Sequence, residues 1–488
     1  MFEYETVESP LPIVMGNEEE TGMTLRTGEF IDEPYDLATD LPIYIPQTMI
    51  GRHDEFLTNG FRIYIGGTEN SDKPTNIERS TPECILPVDL NKYIRVGEYI
   101  MDSIVEKYVI ENSDNEETSI RLQRRVVDSY GNRKGCHDNF GLEFDSEVGN
   151  SIDLGHHIKH HIATRSFISG AGHVDSDKGL FYAQKIDGLV SVNGHGYMGT
   201  IGRIVPDINS IRLEIRCNDI NISDWATQIR LGSMGLVLAL DEIGELDQLD
   251  DYVGYMGEAE YLENTKELNR LSLNNNGELK VSSGQMDALD YQQRVAEIAL
   301  KSLGIYIDVP LNYHKIAQEI YEYCDDFRKV LSGSDDISLL ADRSDWAAKL
   351  NLIKLGIEFD RDFGIKRDFL DIKSQAADLK YDYKEVTALN GKIKSKKEGT
   401  GYKMRDRGLF RFTIPEKNIQ SAKILPPENT RAVLRSILVS NENISSCDWK
   451  SISFKNRVGQ KSPHNIILAP RDIEFSSEDE LKISSRDK

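Results

Sequence analysis

The stretch "MGNEEETG", Met15–Gly22, sets Glu18, Glu19 and Glu20 directly behind the apolar run Ile13-Val14-Met15. Like charges repel and are costly to bury, so a strand does not gather three carboxylates for stability alone. Side chains alternate along a strand, which puts Glu18 and Glu20 on one face and Glu19 on the other. Two further stretches alternate in the same way. In "FRIYIGG" (61–67) Phe61, Ile63 and Ile65 oppose Arg62 and Tyr64, and in "IRLEIRC" (211–217) Ile211, Leu213 and Ile215 oppose Arg212, Glu214 and Arg216. Hard Mg²⁺ takes oxygen ligands from a few carboxylates and from substrate phosphates. Guanidinium forks grip phosphate oxygens. Three such polar faces on one sheet suit a metal–nucleotide site. The other reading is a solvated sheet face crossed by ion pairs.

The chain has 488 residues, enough for roughly two to four domains. Its 39 % hydrophobic and 28 % charged content reads as soluble and globular. A net charge of −23 argues against a phosphate-backbone grip on nucleic acid. The longest apolar runs, such as "MGLVLAL" (234–240), are far too short to span a bilayer, and the acidic N-terminus carries no secretory signal. Five scattered cysteines then read as reduced thiols of a cytoplasmic protein.

Helical spacing predicts helices over 90–110, over 223–242 with Ser223 as N-cap, and over 285–303, 311–331 and 344–356. The Lys- and Gly-rich segment 390–408 reads as a linker or loop before a smaller C-terminal unit, and the polar end of the chain as disordered. Many strands with helices concentrated in the second half favour α+β.

Several pieces resemble, in order, the ligases of the prokaryotic ubiquitin-like protein Pup and their sister depupylases. They are "MGNEEETG", "FLTNGFRIYI…ERSTPEC" (56–84), "GCHDNF" (135–140), "TRSFISGAGHV" (164–174) and "IRLEIRCNDINISDWATQIRLGSMGLVL" (211–238). "DWAAKLNLI" (345–353), "DLKYDY" (378–383), "PPENTRAVLR" (426–435) and Trp449 follow. The resemblance implies a glutamine-synthetase-like fold, in which a curved antiparallel sheet forms an open cradle backed by helices. Together with the composition of 390–408 and of the chain's polar end, it divides the chain into a catalytic domain (1–400), a small C-terminal domain (401–475) and a disordered tail (476–488). It also implies ATP and Mg²⁺ as cofactors. Glu18, Tyr64 and Glu78 match the family's magnesium positions, with Glu20 as a helper. Arg62, Thr81 and Trp449 match positions that contact ATP. Arg212, Arg216 and Arg431 fall in motifs that face phosphate or the substrate carboxylate. The activity implied is phosphorylation of a glutamate carboxylate on a small ubiquitin-like protein tag. Attack by a lysine of a target protein then forms an isopeptide bond. Neither nucleic acid nor membrane is an expected partner.

Two departures stand out. The family's aspartate, two residues beyond the strand tyrosine, is Gly66 here, and Glu69 and Asp72 in the following loop are the candidate substitutes. Glu214 stands where the family has histidine, and its carboxylate is a stronger magnesium ligand than imidazole. The first departure keeps two alternatives in view: a depupylase-like amidase and a catalytically impaired homologue that binds nucleotide or tag. The short interval between Glu18 and Arg62 leaves no room for the long depupylase insertion and favours the ligase. Among lesser signals, His157 and His161 have a helical zinc spacing but lack a completing ligand, so they read as a packed or surface cluster. "GAGHV" (170–174) reads as a tight turn. His137 is either a buried, backbone-satisfying residue or a group at the cradle rim. Trp225 and Trp346 read as core or interface anchors.

Overall fold

Strand β1 (Val14–Thr27) is long enough to be paired along both edges by different strands in succession. It pairs antiparallel with β6 (Cys136–Leu142) through Val14–Glu19, with β4 (Asn76–Ser80) through Glu18–Thr21, and with β5 (Thr118–Gln123) through Gly22–Thr27. The computed structural model describes residues 13–27, 30–32, 56–66, 76–126, 134–142, 155–175, 179–186, 191–193, 200–207, 210–253, 257–271, 286–303, 310–362, 378, 380–439, 444–447, 449, 451–454 and 465–467. The expected tail 476–488, and the candidate substitutes Glu69 and Asp72, lie outside those residues.

The other strands of this sheet are β2 (Phe30–Asp32), β3 (Arg62–Gly66), β9 (Ser191–Asn193), β10 (Thr200–Asp207), β11 (Ser210–Ile215), β13 (Tyr383–Leu389) and β14 (Lys392–Glu398). Among the described residues they make an eleven-stranded sheet of order β14-β13-β5-β1-β6-β11-β10-β9, with β2 and the β4–β3 pair attached to β1. Every pairing is antiparallel except β9 with β10. Two three-stranded sheets accompany it. One is β7 (His173–Asp175), β8 (Gly179–Phe181) and β12 (Arg270–Leu271), and the other β15 (Ile444–Cys447), β16 (Ser451–Phe454) and β17 (Asn465–Ile467).

Among the described residues the α-helices are α1 (Pro87–Glu111), α2 (His156–Thr164), α3 (Ser166–Ser169), α4 (Asp224–Glu242), α5 (Glu258–Leu268) and α6 (Ala288–Ser302), then α7 (Leu311–Leu331), α8 (Asp345–Asp362), α9 (Thr400–Asp406), α10 (Glu416–Ala422) and α11 (Ala432–Leu438). Helices fall where the apolar spacing predicts them, and the Ser223 side chain caps α4 by accepting from the Ala226 N–H at 3.2 Å. The predicted anchors Trp225 and Trp346 are both core residues. α4 is buried through almost its whole circumference, as suits a helix with neighbours on all sides. A Cβ on Gly232 would lie 2.2 Å from Ile316 Cδ1, so the glycine is what lets α7 press against α4.

The segment 390–408 is not a linker. Residues 392–398 are strand β14 and 400–406 are helix α9. Asn390 and Gly391 both have positive φ, +52° and +68°, the geometry of a two-residue hairpin turn joining β13 to β14. The lysines that suggested a loop decorate a largely exposed edge strand, where charge discourages pairing with another chain.

Apolar burial and strand alternation give the sheet two unlike faces. Met15, Ile63, Ile77, Phe140, Leu213 and Ile215 are buried on one face, in a single core with α1 and α4. Glu18, Glu20, Arg62, Tyr64, Glu78, His137 and Glu214 occupy the other.

Candidate active site

Register fixes which side chains meet. Tyr64 pairs with Glu78, and Glu78 with Glu20, forming one row across β3, β4 and β1. The next row runs from Arg62 to Ser80, Glu18 and His137, across β3, β4, β1 and β6. Glu214 of β11 pairs with Asn139, two residues beyond His137 and so on the same face. Residues far apart in sequence thus converge on one sheet surface because the strands carrying them are neighbours.

The contacts on this surface are polar throughout. Glu18 accepts a hydrogen bond from the Ser80 hydroxyl at 3.2 Å and lies 3.0 Å from His137 Nδ1. His137 Nδ1 also lies 3.7 Å from Glu214, whose carboxylate pairs with Arg216 at 2.7 Å and Arg212 at 3.7 Å. The Arg62 guanidinium stacks 4.5 Å over the Tyr64 ring and 5.5 Å from that of Phe56. Gly135 gives Glu20 its room: a Cβ there would lie 2.6 Å from Glu20 Oε1. The Glu20 N–H donates to the Gly135 carbonyl at 2.9 Å.

The electrostatics of the three acids differ. Burial pushes the Glu78 carboxyl up to about 9, and the neighbouring charges of Glu18 and Glu20 add to the rise. Burial acts the same way on Glu18, but hydrogen bonding and charge from His137, with Arg212 beyond, outweigh it and hold that carboxyl below its ordinary value. Carboxylates crowd this face closely enough for Glu18 and Glu20 to act on Glu78.

Glu19 answers a different need. On the opposite face it is buried, paired with Arg79 and, at 3.1 Å, with Arg124. Burial would raise its carboxyl, but Arg124 and Arg79 outweigh burial and hold it low. The pairing continues inward. Arg124 pairs with Glu98 of α1, Glu98 with Arg405 of α9 at 2.6 Å, and Arg95 with Asp224 of α4 at 3.0 Å. Asp138 holds Arg230 at 2.9 Å and accepts from Asn17 at 2.9 Å. The face bearing Glu18 and Glu20 therefore rests on a buried ion network that fixes β1 against α1 and α4.

Other expected residues lie at the margin of this face. Thr81 is buried, and its hydroxyl accepts from the Asn17 N–H at 3.0 Å, holding β1 beside the turn after β4. Arg431 pairs with Glu83 at 2.8 Å, and Arg435 pairs with the same carboxylate and donates to the Trp449 carbonyl at 2.8 Å. The Trp449 ring meets Phe56 edge-on at 5.0 Å. Phe56 in turn touches Arg62, so Arg431 and Trp449 form a rim reaching the sheet face through Phe56. Gly66 is the last residue of β3 and pairs with Asn76. The Asp219 carboxylate accepts from the N–H groups of Ala171, Gln184 and Lys185, clamping two loops beside the sheet.

Sequence reasoning missed Lys185. Burial lowers its ammonium from the ordinary lysine value, while the Glu20 charge pulls the other way, which puts a buried cation within reach of the acidic row. No sequence motif marks it. His161 does not act with His157: it is buried, 3.2 Å from the Ser233 hydroxyl and 3.1 Å from the Gln292 amide.

An α+β chain whose open antiparallel sheet carries a carboxylate–guanidinium face defines the class. The model of the Pup-ligase protein family matches residues 15–453, and the chain belongs to that family. The Pup–protein ligase of Corynebacterium kroppenstedtii is 27 % identical over 492 residues, covering 93 % of each chain. That of Paenarthrobacter aurescens is 24 % identical over 432 residues, covering 83 % of this chain and 85 % of its own. Among solved structures, the ligase PafA in complex with Pup superposes with a TM-score of 0.75 at 21 % identity, covering 98 % of this chain and 93 % of that one. PafA in complex with ADP gives 0.66 at 22 % identity, covering 94 % and 95 %. These likenesses establish the shared fold.

Proposed function

We propose that the chain is an ATP-dependent Pup ligase, joining a glutamate carboxylate of a Pup-like tag to a lysine amine of a target protein through an acyl phosphate. One observation carries the reading. In a chain with this family match, register aligns Tyr64, Glu78 and Glu20 in one row and sets Glu18 in the next, with Arg62, Arg212 and Arg216 alongside.

The residues fit Mg²⁺. The donor set is oxygen-rich, as a hard cation requires, and Asn139 Oδ1, buried on the same face, has no hydrogen-bond partner among the described residues. Burial raises Glu78 most, and the repulsion from Glu18 and Glu20 that adds to the rise is what a divalent cation would relieve. Glu18, Glu20, Glu78 and Glu214, with Tyr64 beside them, are the residues proposed to hold it. Bound there, Mg²⁺ would supply charge neutralisation for the triphosphate. Arg62, Arg212 and Arg216 are proposed to orient ATP phosphates and the tag carboxylate, so that charge developing on oxygen meets fixed guanidiniums. His137, held by Glu18, keeps the first acid in place. Arg431 and Trp449 border the nucleotide end. The attacking amine must lose a proton, and Gly66 has no group to accept it. Glu78 and Glu20, in the adjoining Tyr64 row of the same face, are the carboxylates proposed to accept it. Five buried free cysteines and the lack, among the described residues, of any helix able to cross a membrane agree with a cytoplasmic setting.

Incubation with ATP, Mg²⁺, a tag ending in glutamate and a lysine-bearing protein tests the reading. The expected products are a conjugate lighter by one water than its parts, together with ADP and phosphate. Cleavage of a preformed conjugate without ADP formation would replace this reading with an amidase. Nucleotide binding with neither reaction would replace it with an impaired homologue.

A further inference from the structure

We propose a second cation site, away from the sheet face, in which His156, His157 and Asp250 bind a borderline divalent metal ion of the Zn²⁺ class. α2 opens on two consecutive histidines after Gly155, and the 3₁₀ turn Asp247–Leu249 delivers Asp250 opposite them. His156 Nε2 and His157 Nε2 lie 2.8 and 2.9 Å from the same carboxylate oxygen, Asp250 Oδ1. The imidazole rings stand with centroids 4.0 Å apart, and the three donor atoms all lie within 4.8 Å of one another.

The two nitrogen–oxygen distances are close to what a metal needs. With bonds of about 2.0–2.1 Å, the ligand atoms of a tetrahedral Zn²⁺ site are separated by about 3.3 Å. Seating an ion among these three atoms therefore asks the two nitrogens to part from the oxygen by only a few tenths of an ångström. Both imidazoles already present Nε2. Metal binding there moves each ring proton to Nδ1 and replaces the two Nε2···Oδ1 hydrogen bonds to Asp250 with metal bonds, while His157 Nδ1 has no partner among the described residues to lose. Asp250 is half-exposed, which leaves a coordination position open to water. The Asp247 charge acts on His157, and that of His156 on Asp241, so the surroundings are acidic and suit a cation.

Donor chemistry separates the two sites. Two imidazoles with one carboxylate select zinc-like ions, whereas the sheet face, dominated by carboxylate oxygens, suits Mg²⁺. The helical i,i+4 pair His157/His161 is not involved, since His161 is committed to Ser233 and Gln292. A bound ion would pin α2 to the turn that follows α4.

Zn²⁺ titration of the full chain by calorimetry, in excess Mg²⁺ to occupy the oxygen site, tests this. One tight equivalent is expected. His156→Ala and Asp250→Asn, both at exposed or half-exposed positions, should each weaken it at least tenfold while keeping the wild-type melting temperature in EDTA. Glu18→Ala should leave it unchanged. Wild-type Zn²⁺ affinity in both His156→Ala and Asp250→Asn, or no binding to the wild-type chain, would overturn the proposal.

Discussion

Replacing Glu78 by glutamine should stabilise the metal-free protein at neutral pH and abolish its response to Mg²⁺ and ATP. The folded-state carboxyl sits at about 9 against an ordinary value of 4.5, because it is buried beside Glu18 and Glu20. A group whose folded value is raised binds its proton more tightly when folded, so stability falls as pH climbs from 4.5 toward 9. The loss is about 1.4 kcal/mol per pH unit, or about 3 kcal/mol by pH 7. The three acids share the repulsion, so roughly 1–3 kcal/mol is the gain expected when glutamine takes the place of the protonated form. Melting of wild type and Glu78→Gln in EDTA, at pH 5 and pH 7.5, reads this directly. The variant should be the more stable at pH 7.5, and the gap should close toward pH 5. Adding Mg²⁺ and ATP should invert the order: the wild type gains about 4.1 kcal/mol at a thousandfold excess over its dissociation constant, and the variant gains little. A variant less stable than wild type in EDTA at pH 7.5, or a gap independent of pH, would refute the reasoning.

Glu19→Ala leaves Arg79 and Arg124 buried without their carboxylate and should cost roughly 3–5 kcal/mol in urea unfolding. Glu20→Ala, on the half-buried face, should cost far less. Arg435 and Arg431 overcome the effect of burial and hold Glu83 at about 2. Its contribution is therefore present above pH 4.5 and lost as pH falls toward 2, and the stability difference between wild type and Glu83→Gln should shrink over that window. Gly66→Asp, which restores a carboxylate at the end of β3, should raise the conjugation rate at least about tenfold. An unchanged rate would place the proton acceptor elsewhere.

The faces of β1, β3 and β11 were legible because strand alternation is strictly local: Glu18, Glu20, Arg62, Tyr64, Arg212 and Glu214 could be sorted without knowing the partners of their strands. What Glu19 does could not be read, since Arg79 lies in β4 and Arg124 just past β5, and only the pairing of those strands with β1 brings them to it. Lys185 was invisible because it lies in a loop that only the Asp219 clamp brings beside the sheet. The order of motifs singled out Arg431 and Trp449 as candidates, but gave no sign that Glu83 and Arg435 tie them into a rim. The misread segment 390–408 did contain its own signal. Asn390-Gly391 is a strong hairpin dipeptide, and its turn chemistry, not the lysine-rich composition around it, decides the local structure. In the histidine run the helical spacing pointed to His157 and His161. The pair that meets a carboxylate is His156 and His157, because a turn distant in sequence supplies Asp250.

Equilibrium binding of ATP, measured with Mg²⁺ and with EDTA on wild type and Glu18→Ala, probes the sheet face most directly. If this face carries the cation and the triphosphate, the wild type binds much more tightly with Mg²⁺ than without, and Glu18→Ala loses that difference, at least about a hundredfold or 2.7 kcal/mol. Magnesium-dependent affinity that survives intact in Glu18→Ala would contradict it.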